Sequence, residues 1–289
     1  MGYKHIDNLY KNQTILMLKR CYALEKIHGT SARVVWKDGQ LTFKSGGEKH
    51  TKFVTLFDVD DLRAKFEVMG HDDVQVYGEA YGGKCQRMSD TYGKELKFAA
   101  FEVQIGETWL NVTNAADVVG KLGLEFVYFT EISTDIEAVD AQRDDGSVQA
   151  IRNGMGPGLK REGVVLRPLQ EITDNRGNRI VCKHKRDDFS EVRTPRKVSP
   201  EKLAVLSNAE DVAMEWVTDM RLRHVLDKFP GACMEQMRDI ISAMVEDVTR
   251  EGEGEISGDK KAIQKAIGSR TVKLFKGHLM ENLIQGEGE

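Results

Sequence analysis

The chain has 289 residues, of which 40% are hydrophobic and 30% are charged, and its formal net charge is −4. This length allows a domain of about 200 residues and a smaller second one, and the mild negative charge argues against a protein coated with nucleic acid. No apolar run of ~18 residues and no signal-peptide pattern occur, so we expect a cytoplasmic protein with no membrane partner. Four widely separated cysteines, in no Cys-x-x-Cys pair, argue against a zinc or disulfide protein.

Strand and helix patterns alternate over residues 1–190. Two β-rich runs joined at Asp38-Gly39 predict a hairpin, and Val74–Gly83 predicts a strand that ends in glycines. Two further hairpins are predicted to turn near Gly106 and through the stretch TDNRGN. Helices are predicted over residues 59–69, 114–123 and 134–142. Helices set among antiparallel hairpins indicate an α+β domain.

The character of the chain changes after residue 190. The basic, proline-containing stretch VRTPRKVSP is typical of a linker, and Ser199-Pro200 predicts the start of a helix. Apolar residues at helical spacing predict helices over Glu201–Phe229, Met234–Arg250 and Lys260–Ile284. We therefore expect an α+β domain over residues 1–195 and a small all-helical domain over residues 196–289.

A local excess of positive charge lies at this junction. From Arg176 to Lys197 the chain carries eight lysines and arginines against three acidic residues. Such a run is either a solvated face or a surface that binds phosphates, and composition alone leaves both interpretations open.

Lys26 is the first candidate for chemistry, in the stretch EKIHGT at the end of a predicted strand. A lysine attacks phosphorus only as a neutral amine, which desolvation or neighbouring cations favour. A strand that ends in a glycine turn would hold Lys26 at the rim of a sheet, where His28 could contact a phosphate. Taken alone, however, the stretch is better explained as an exposed lysine beside an ordinary turn.

A second candidate combines EGVVLRP, which begins at Glu162, with VCKHKRDDFSE. Lys183 and Lys185 lie two residues apart on a predicted strand, so they share one face and His184 takes the other. If that face is buried, the two lysines require an anion such as a phosphate; a solvent-facing strand is the alternative. In the stretch FAAFEVQI, Phe101 is either a core residue or a platform for a nucleobase.

In chain order these segments are EKIHGT, VYGEAYGG, FAAFEVQI, EGVVLRP and VCKHK. Together they resemble the covalent nucleotidyltransferases, which comprise ATP-dependent polynucleotide ligases and mRNA capping enzymes. His28, where most members have aspartate, resembles the RNA ligase 2 family of phage RNA ligases and trypanosome RNA-editing ligases, and the resemblance continues through EWVTDMRLRHVLDK. It implies an antiparallel-sheet nucleotidyltransferase domain, an ATP-grasp-like ligase fold, followed by the helical domain.

The resemblance also implies a mechanism. Lys26, assisted by His28, would attack the α-phosphate of ATP to form a lysyl-AMP, and AMP would pass to a 5′-phosphate that a 3′-hydroxyl then attacks. Lys183 and Lys185 would bind the α-phosphate, and Glu162 would act near a Mg²⁺ or Mn²⁺ ion.

Further contacts are implied for the nucleotide and the nucleic acid. The implied ATP-binding residues, besides Lys183 and Lys185, are Glu25 at the adenine, Ile27, Lys44, Glu79 at the ribose, and Phe101 and Val165 on either side of the base. The implied nucleic-acid contacts are Gln86, Arg167, Thr218 and Arg221. Two positions depart from the family pattern, Ser31 where the phage enzyme has asparagine and Ser45 where an arginine often contacts the ribose.

The function implied by the resemblance is an ATP-dependent ligase that seals 3′-hydroxyl/5′-phosphate nicks in RNA-containing duplexes. The helical domain would clamp the nicked duplex, and the basic junction would then favour a phosphate-binding role. We expect a monomer, located in the host cytosol if the chain is encoded by a phage. The alternatives are a preference for DNA or mixed strands, a capping guanylyltransferase, and a nick-binding protein that has lost catalysis.

Overall fold

The computed structural model describes residues 3–198 and 206–286, and the chain divides into two compact units. The first unit ends at Arg186 and the second begins at Asp187. Within the described ranges, no helix is both long and apolar enough to cross a membrane.

The first unit is built from strands and short helices. Its strands are β1 (Arg20–Lys26), β2 (Thr30–Lys37), β3 (Gln40–Ser45), β4 (Asp73–Gly82), β5 (Leu96–Ile105), β6 (Thr108–Trp109), β7 (Phe129–Ser133), β8 (Gly163–Pro168) and β9 (Cys182–Lys185). Its helices are α1 (His50–Val54), α2 (Val59–Met69), α3 (Ser89–Tyr92), α4 (Val112–Lys121), α5 (Ile136–Asp144) and α6 (Val148–Arg152). Every pairing between these strands is antiparallel, which confirms the predicted α+β class.

Among residues 3–198 the strands form two sheets. Sheet A has the order β7-β1-β8-β9, and sheet B has the order β3-β2-β4-β5-β6. The predicted hairpins are confirmed at β2–β3, β5–β6 and β8–β9. The first of them turns through Asp38 and Gly39, which both have positive φ and so suit the type of turn that matches the twist of paired strands.

Sheet B carries the larger hydrophobic core of the first unit. The residues of β2 alternate between buried and more exposed positions, as expected for a sheet with one covered face. Helix α2 packs on this face, where Phe66 stacks on Trp36 with ring centroids 5.7 Å apart. Sheet A instead brings together the ends of β1, β8 and β9, and the candidate catalytic residues lie there.

The second unit is helical, with α7 (Ala209–Trp216), α8 (Asp219–Leu226), α9 (Met237–Glu251) and α10 (Lys260–Gly286). Trp216, Met244 and Phe275 lie in its hydrophobic core. Within residues 206–229, where a single helix is predicted, the structure has two helices, because Thr218 begins a new one: its side chain accepts a hydrogen bond from the backbone N–H of Arg221. The predicted helix start at Ser199-Pro200 lies outside the described residues.

The boundary between the units lies earlier in the chain than the sequence suggests, at Arg186 rather than at residue 195. Val192 belongs to the core of the helical unit. The backbone N–H of Arg193 donates to the carbonyl of Glu215 at 2.8 Å, and Thr194 donates to the carboxylate of the same residue at 2.9 Å. Residues 192–194 of the predicted linker are therefore packed against the helices.

Candidate active site

Glu162 lies at the centre of a buried cluster of predicted catalytic residues. Its side chain is 1% exposed, and its oxygens lie 3.0 Å from Nζ of Lys26, 2.8 Å from Nζ of Lys185 and 3.2 Å from Nδ1 of His28. Burial raises the pKa of the Glu162 carboxyl, but the charges of Lys185 and Lys26 outweigh this and hold the pKa well below its ordinary value. The cluster therefore contains an ionised carboxylate in direct contact with the predicted nucleophile.

The register of sheet A explains this convergence. Lys26 lies opposite Gly163, and Gly163 lies opposite Lys185, so three neighbouring strands place the two lysines on either side of β8. The backbone N–H of Glu162 donates to the carbonyl of Lys26 at 3.1 Å. Any side chain at Gly163 would collide with the backbone of His184, so glycine is required for β8 and β9 to approach this closely.

The turn after Lys26 is held against β4. The backbone N–H of His28 donates to the hydroxyl of Tyr92 at 3.3 Å. A Cβ at Gly29 would collide with the carbonyl of Ala80 and lie 2.9 Å from Cγ of Glu79. Only glycine lets the turn approach this closely, and the approach brings half-buried Glu79, the predicted ribose contact, next to the turn that follows Lys26.

Strand alternation in β9 is as predicted. Lys185 faces Glu162, while His184 points to the opposite side, where its Nε2 lies 2.7 Å from Asp140 and 3.0 Å from Arg143. Burial lowers the pKa of His184, and the hydrogen bond to Asp140 opposes that shift. We predicted that a phosphate would balance the lysines; in this structure the Glu162 carboxylate already supplies an anion for Lys185.

Lys183 is anchored through its backbone. Its N–H donates to the carbonyl of Asp7 at 2.9 Å, and its carbonyl accepts from the N–H of Leu9 at 2.8 Å. The N-terminal segment thus adds to the edge of β9. This contact fixes the half-buried Lys183 on the same strand face as Lys185.

The predicted base-binding residues lie on one hydrophobic cluster that takes residues from both sheets. Phe101 of β5 and Val165 of β8 are half-buried and pack against it. Ile27, also predicted to bind the nucleotide, is 3% exposed and belongs to the buried part of the cluster, so its side chain supports this wall. Tyr3, which is not among the predicted site residues, packs its ring edge-on against Phe101 with centroids 5.1 Å apart.

The carboxylate of Glu25, which the resemblance places at the adenine, binds the start of α6 in this structure. The Glu25 carboxylate accepts from Ser147 Oγ at 2.6 Å, from the N–H of Val148 at 3.0 Å and from the N–H of Gln149 at 3.1 Å. These groups form the first turn of α6, where an anion is stabilised by unsatisfied backbone donors. Glu25 therefore fixes α6 to the end of β1.

Arg167, for which the sequence predicts a nucleic-acid contact, is buried among acidic partners in this structure. Its side chain is 2% exposed and lies 3.1 Å from Glu102, which is itself buried. It also pairs with Glu171 and donates to the carbonyl of Leu110 at 2.6 Å. A guanidinium buried among these partners holds strands together, and it offers no surface to a nucleic acid.

The remaining first-unit predictions lie on the periphery. Lys44 is exposed on β3, opposite Arg33. Gln86 is half-buried in a 3-10 turn over Cys85–Arg87, with a positive φ of 50°.

In the second unit, the predicted nucleic-acid contacts Thr218 and Arg221 both make contacts within the helical unit. Thr218 caps α8 and donates to the carbonyl of Glu191 at 3.1 Å. Arg221 is 1% exposed, lies 2.5 Å from Asp247, and donates to the carbonyl of Trp216 at 2.8 Å. The Thr-x-x-Arg spacing here joins a helix cap to a buried ion pair.

The basic junction is likewise occupied by internal contacts. Arg179 pairs with Glu102 and Glu171, and Arg186 donates to the carbonyl of Asp144 at 2.7 Å. Arg196 lies 2.9 Å from Glu215 and 2.8 Å from Glu255. These arginines stabilise the two units, so the phosphate-binding interpretation of the run does not apply to them.

The part of the chain that contains this site matches a known family. A family model described as RNA ligase matches residues 19–185, which is more than half of the chain and includes the whole Glu162 cluster. No curated protein sequence matches the chain.

Solved structures of a Naegleria gruberi RNA ligase share the fold. A lysine-to-alanine variant with ATP and Mn, and the ligase with PPi, are each 15% identical to this chain with a TM-score of 0.52. A lysine-to-methionine variant with AMP and Mn is 14% identical, also with a TM-score of 0.52. Each match covers 65% of this chain and 57% of the other. The chain therefore spans little more than half the length of these relatives.

Proposed function

Because the chain belongs to the RNA ligase family, as its motifs of the RNA ligase 2 type predicted, we propose that it is an ATP-dependent RNA ligase. The observation that carries the proposal is the Glu162 cluster, which gathers Lys26, His28 and Lys185 at one end of sheet A. The Naegleria ligase of the same fold was solved with ATP, AMP and PPi, which correspond to the donor, the transferred group and the leaving group of an adenylyl transfer.

In the first step, the neutral amine of Lys26 attacks the α-phosphorus of ATP. A bond forms between nitrogen and phosphorus, the bond to the β-phosphate oxygen breaks, and pyrophosphate leaves. The Glu162 carboxylate lies 3.0 Å from the amine, where it holds the side chain in place before the nucleotide arrives. Lys185 and Lys183 then stabilise the charge that develops on the phosphate, which is the main source of catalysis in such transfers.

The site fits a divalent cation of the Mg²⁺ or Mn²⁺ type. Glu162 offers ionised carboxylate oxygens, and Mg²⁺ is commonly bound by one or two carboxylates together with substrate phosphates. Such an ion would neutralise the phosphates and favour the unprotonated amine. Glu162 is the residue that would hold it.

Nucleotide recognition would use the wall formed by Phe101 and Val165. Both side chains are half-buried on a hydrophobic cluster that both sheets share, which suits stacking of a planar base. Glu79, held beside the catalytic turn by the close approach at Gly29, would accept hydrogen bonds from the ribose hydroxyls.

In the later steps, AMP moves from Lys26 to a 5′-phosphate, and a 3′-hydroxyl displaces it to form a phosphodiester bond. We propose that the substrate is a nicked duplex that contains RNA, bound with the help of the helical unit. An A-form duplex would be recognised by its shape and its 2′-hydroxyls. Strand preference depends on the sugars that flank the nick, so DNA or mixed strands are the alternative outcome.

Incubation with Mg²⁺ and ATP labelled at the α-phosphate tests the first step. We expect label on the wild-type protein and none on Lys26→Ala, while Lys94→Ala, which changes an exposed lysine, keeps the label. The proposal fails if the wild type takes up no label, or if Lys26→Ala takes up as much. Sealing of nicked duplexes that differ only in RNA or DNA on each side of the break then determines the strand preference.

A further inference from the structure

Helix α10 has two unlike faces. Ile263, Ile267 and Phe275 are buried and belong to the core of the helical unit. The other face carries exposed lysines, which we call the α10 lysine stripe: Lys261, Lys265, Lys273 and Lys276.

The spacing of these lysines places them on one side of the helix. At 3.6 residues per turn, the positions i, i+4, i+12 and i+15 fall within an arc of about 120°, opposite the buried face. At 1.5 Å per residue the stripe is about 22 Å long. Over residues 260–282 of the helix the single acidic residue is Glu281, which lies on another side. Over that range the stripe is thus a row of like charges with no acid on its own face.

Several other lysines of the chain have acidic partners. Lys37 lies 3.2 Å from Asp73, and Lys65 lies 2.6 Å from Asp61. Within residues 3–198 and 206–286, no ion pair joins a lysine of the stripe to an acid. The arginine of the same helix, Arg270, is used internally, since its Nε donates to the carbonyl of Val217 at 2.7 Å.

Like charges at i, i+4 on a helix repel each other, so the stripe does not stabilise the helical unit. A row of cations on an otherwise acidic chain is instead complementary to a regularly spaced anion. A nucleic-acid strand presents one phosphate per about 3.4 Å of axis, so a length of about 22 Å spans roughly six phosphates. Lysines act as point charges on flexible stems and read no bases.

We infer that the α10 lysine stripe binds the phosphate backbone of the nucleic-acid duplex on which the enzyme acts. This inference rests on the proposed ligase function and assigns to one surface of the helical unit the duplex contact that Thr218 and Arg221 were predicted to make. It requires no sequence preference, which suits an enzyme that recognises a break.

A basic helix can also bind an anionic membrane, but that mode requires an apolar face that inserts beneath the headgroups. The apolar face of α10 is already buried, with Ile267 at 1% and Phe275 at 0% exposure. Met280, at 64%, is an isolated exposed apolar residue near the end of the stripe. The lysines of the stripe are therefore available to an anionic partner, whereas the apolar face of α10 is not available for insertion into a membrane.

The test replaces the stripe as a whole in the full chain, as Lys261→Gln, Lys265→Gln, Lys273→Gln and Lys276→Gln. A matched control replaces four acid-paired lysines of the first unit, as Lys37→Gln, Lys52→Gln, Lys65→Gln and Lys121→Gln. Both variants lose the same amount of positive charge. The probe is a fluorescent RNA duplex with a single nick, and binding is followed by anisotropy as a function of salt.

We expect the stripe variant to bind the nicked duplex more than about 30-fold more weakly at roughly 0.1 M salt. The slope of log affinity against log salt should fall by about 3 to 4, because about 0.9 counterions are released per phosphate contact. The control variant should keep the slope of the wild type. A wild-type slope in the stripe variant, or an equal loss in both variants, would overturn the inference.

Two further measurements keep the result unambiguous. Thermal unfolding followed by circular dichroism checks that the stripe variant folds. If it does not fold, the single variants Lys265→Gln and Lys273→Gln replace it. Each should lower the slope of log affinity against log salt by about 0.9. Stripe-dependent binding to vesicles containing phosphatidylserine, or to polyglutamate, with unchanged duplex binding would overturn the inference. The transfer of label from ATP to Lys26 needs no nucleic acid. If that assay fails, the ligase proposal is wrong, but the duplex-binding experiment can still be interpreted.

Discussion

Two buried glutamates of the first unit are surrounded in similar ways but by different cations. Glu162 and Glu102 are each 1% exposed. Glu162 contacts two lysines, Lys26 and Lys185, together with the ring of His28. Lys26 remains 22% exposed, so the cluster is open at its edge to an incoming ligand.

Glu102 is held by two arginines, Arg167 and Arg179, and it accepts a hydrogen bond from the hydroxyl of Tyr3 at 2.6 Å. Burial raises the pKa of Tyr3, and the Glu102 charge adds to that shift. The guanidinium of Arg179 also lies 4.3 Å from the ring of Trp109. The Glu102 carboxylate is therefore surrounded by two guanidinium groups and a tyrosine hydroxyl.

The difference shows how one acid can serve either chemistry or structure. A lysine can lose its proton and act as a nucleophile, whereas a guanidinium stays charged and offers several donors in a fixed plane. The lysine cluster at the end of sheet A is therefore suited to phosphoryl chemistry, and the arginine cluster to holding strands together. The following predictions test this distinction, from the largest expected effect to the smallest.

Lys26→Arg keeps the positive charge beside Glu162 but removes the proposed nucleophile. We expect formation of the AMP adduct to fall below about 10⁻⁴ of the wild-type rate, because the guanidinium does not become neutral. The free energy of unfolding should change little. Lys37→Arg, on an exposed pair with Asp73, is the control and should keep the activity. An active Lys26→Arg would contradict the distinction.

Glu102→Gln should lower stability far more than Lys26→Arg does. Removing Glu102 leaves Arg167 and Arg179 to share Glu171 as their remaining counterion, and we expect a loss of about 3–5 kcal/mol in the free energy of unfolding. Urea denaturation measures this loss. Glu107→Gln changes an exposed acid of the adjoining turn and should cost almost nothing. Equal losses of stability in Glu102→Gln and Glu107→Gln would contradict the structural role of Glu102.

The pH dependence of stability should report the charge on Glu162. Its pKa in the folded protein lies well below the unfolded value of about 4.5, so the carboxylate contributes stability that is fully present above pH 4.5. That contribution is lost as the pH falls through the lower, folded pKa. The difference in unfolding free energy between wild type and Glu162→Gln should be constant above pH 5 and shrink in acid. A difference that grows as the pH falls would show the opposite shift.

Thr218→Ala tests the structural assignment in the second unit. Loss of the helix cap should cost about 1 kcal/mol of stability, and Thr218→Ser should restore most of it. Affinity for a nicked duplex should be unchanged, because the Thr218 side chain is used by α8 and by the carbonyl of Glu191. A loss of affinity for the nicked duplex with unchanged stability would instead support a nucleic-acid contact at Thr218.

Local patterns predicted the parts of the site that lie on neighbouring strands. Alternation along β9 is enough to separate Lys185 from His184, and the hairpin of β8 and β9 brings Glu162 close to Lys185. The α+β class and the hairpins follow from the same local patterns. Strand alternation and turn residues involve only a few neighbouring positions, so they can be recognised in the sequence alone.

Partners distant in the chain were not predictable in this way. Glu25 caps α6, and Arg167 pairs with Glu102, across long separations that no periodicity encodes. The cap at Thr218 does have a local signal, because a threonine before an acidic first turn is typical of a helix start. The family resemblance instead predicted a nucleic-acid contact at this residue. The lysines of α10 also had a signal, since they recur opposite a buried apolar face.

The measurement that tests the role of Lys26 most directly is peptide mapping by mass spectrometry after incubation with Mg²⁺ and ATP. We expect one AMP group, bound through an acid-labile phosphoramidate to Lys26, and its release when a nicked RNA duplex is added. An AMP group on another residue, or a protein that stays unmodified while folded and supplied with ATP, would contradict the assignment of Lys26 as the nucleophile.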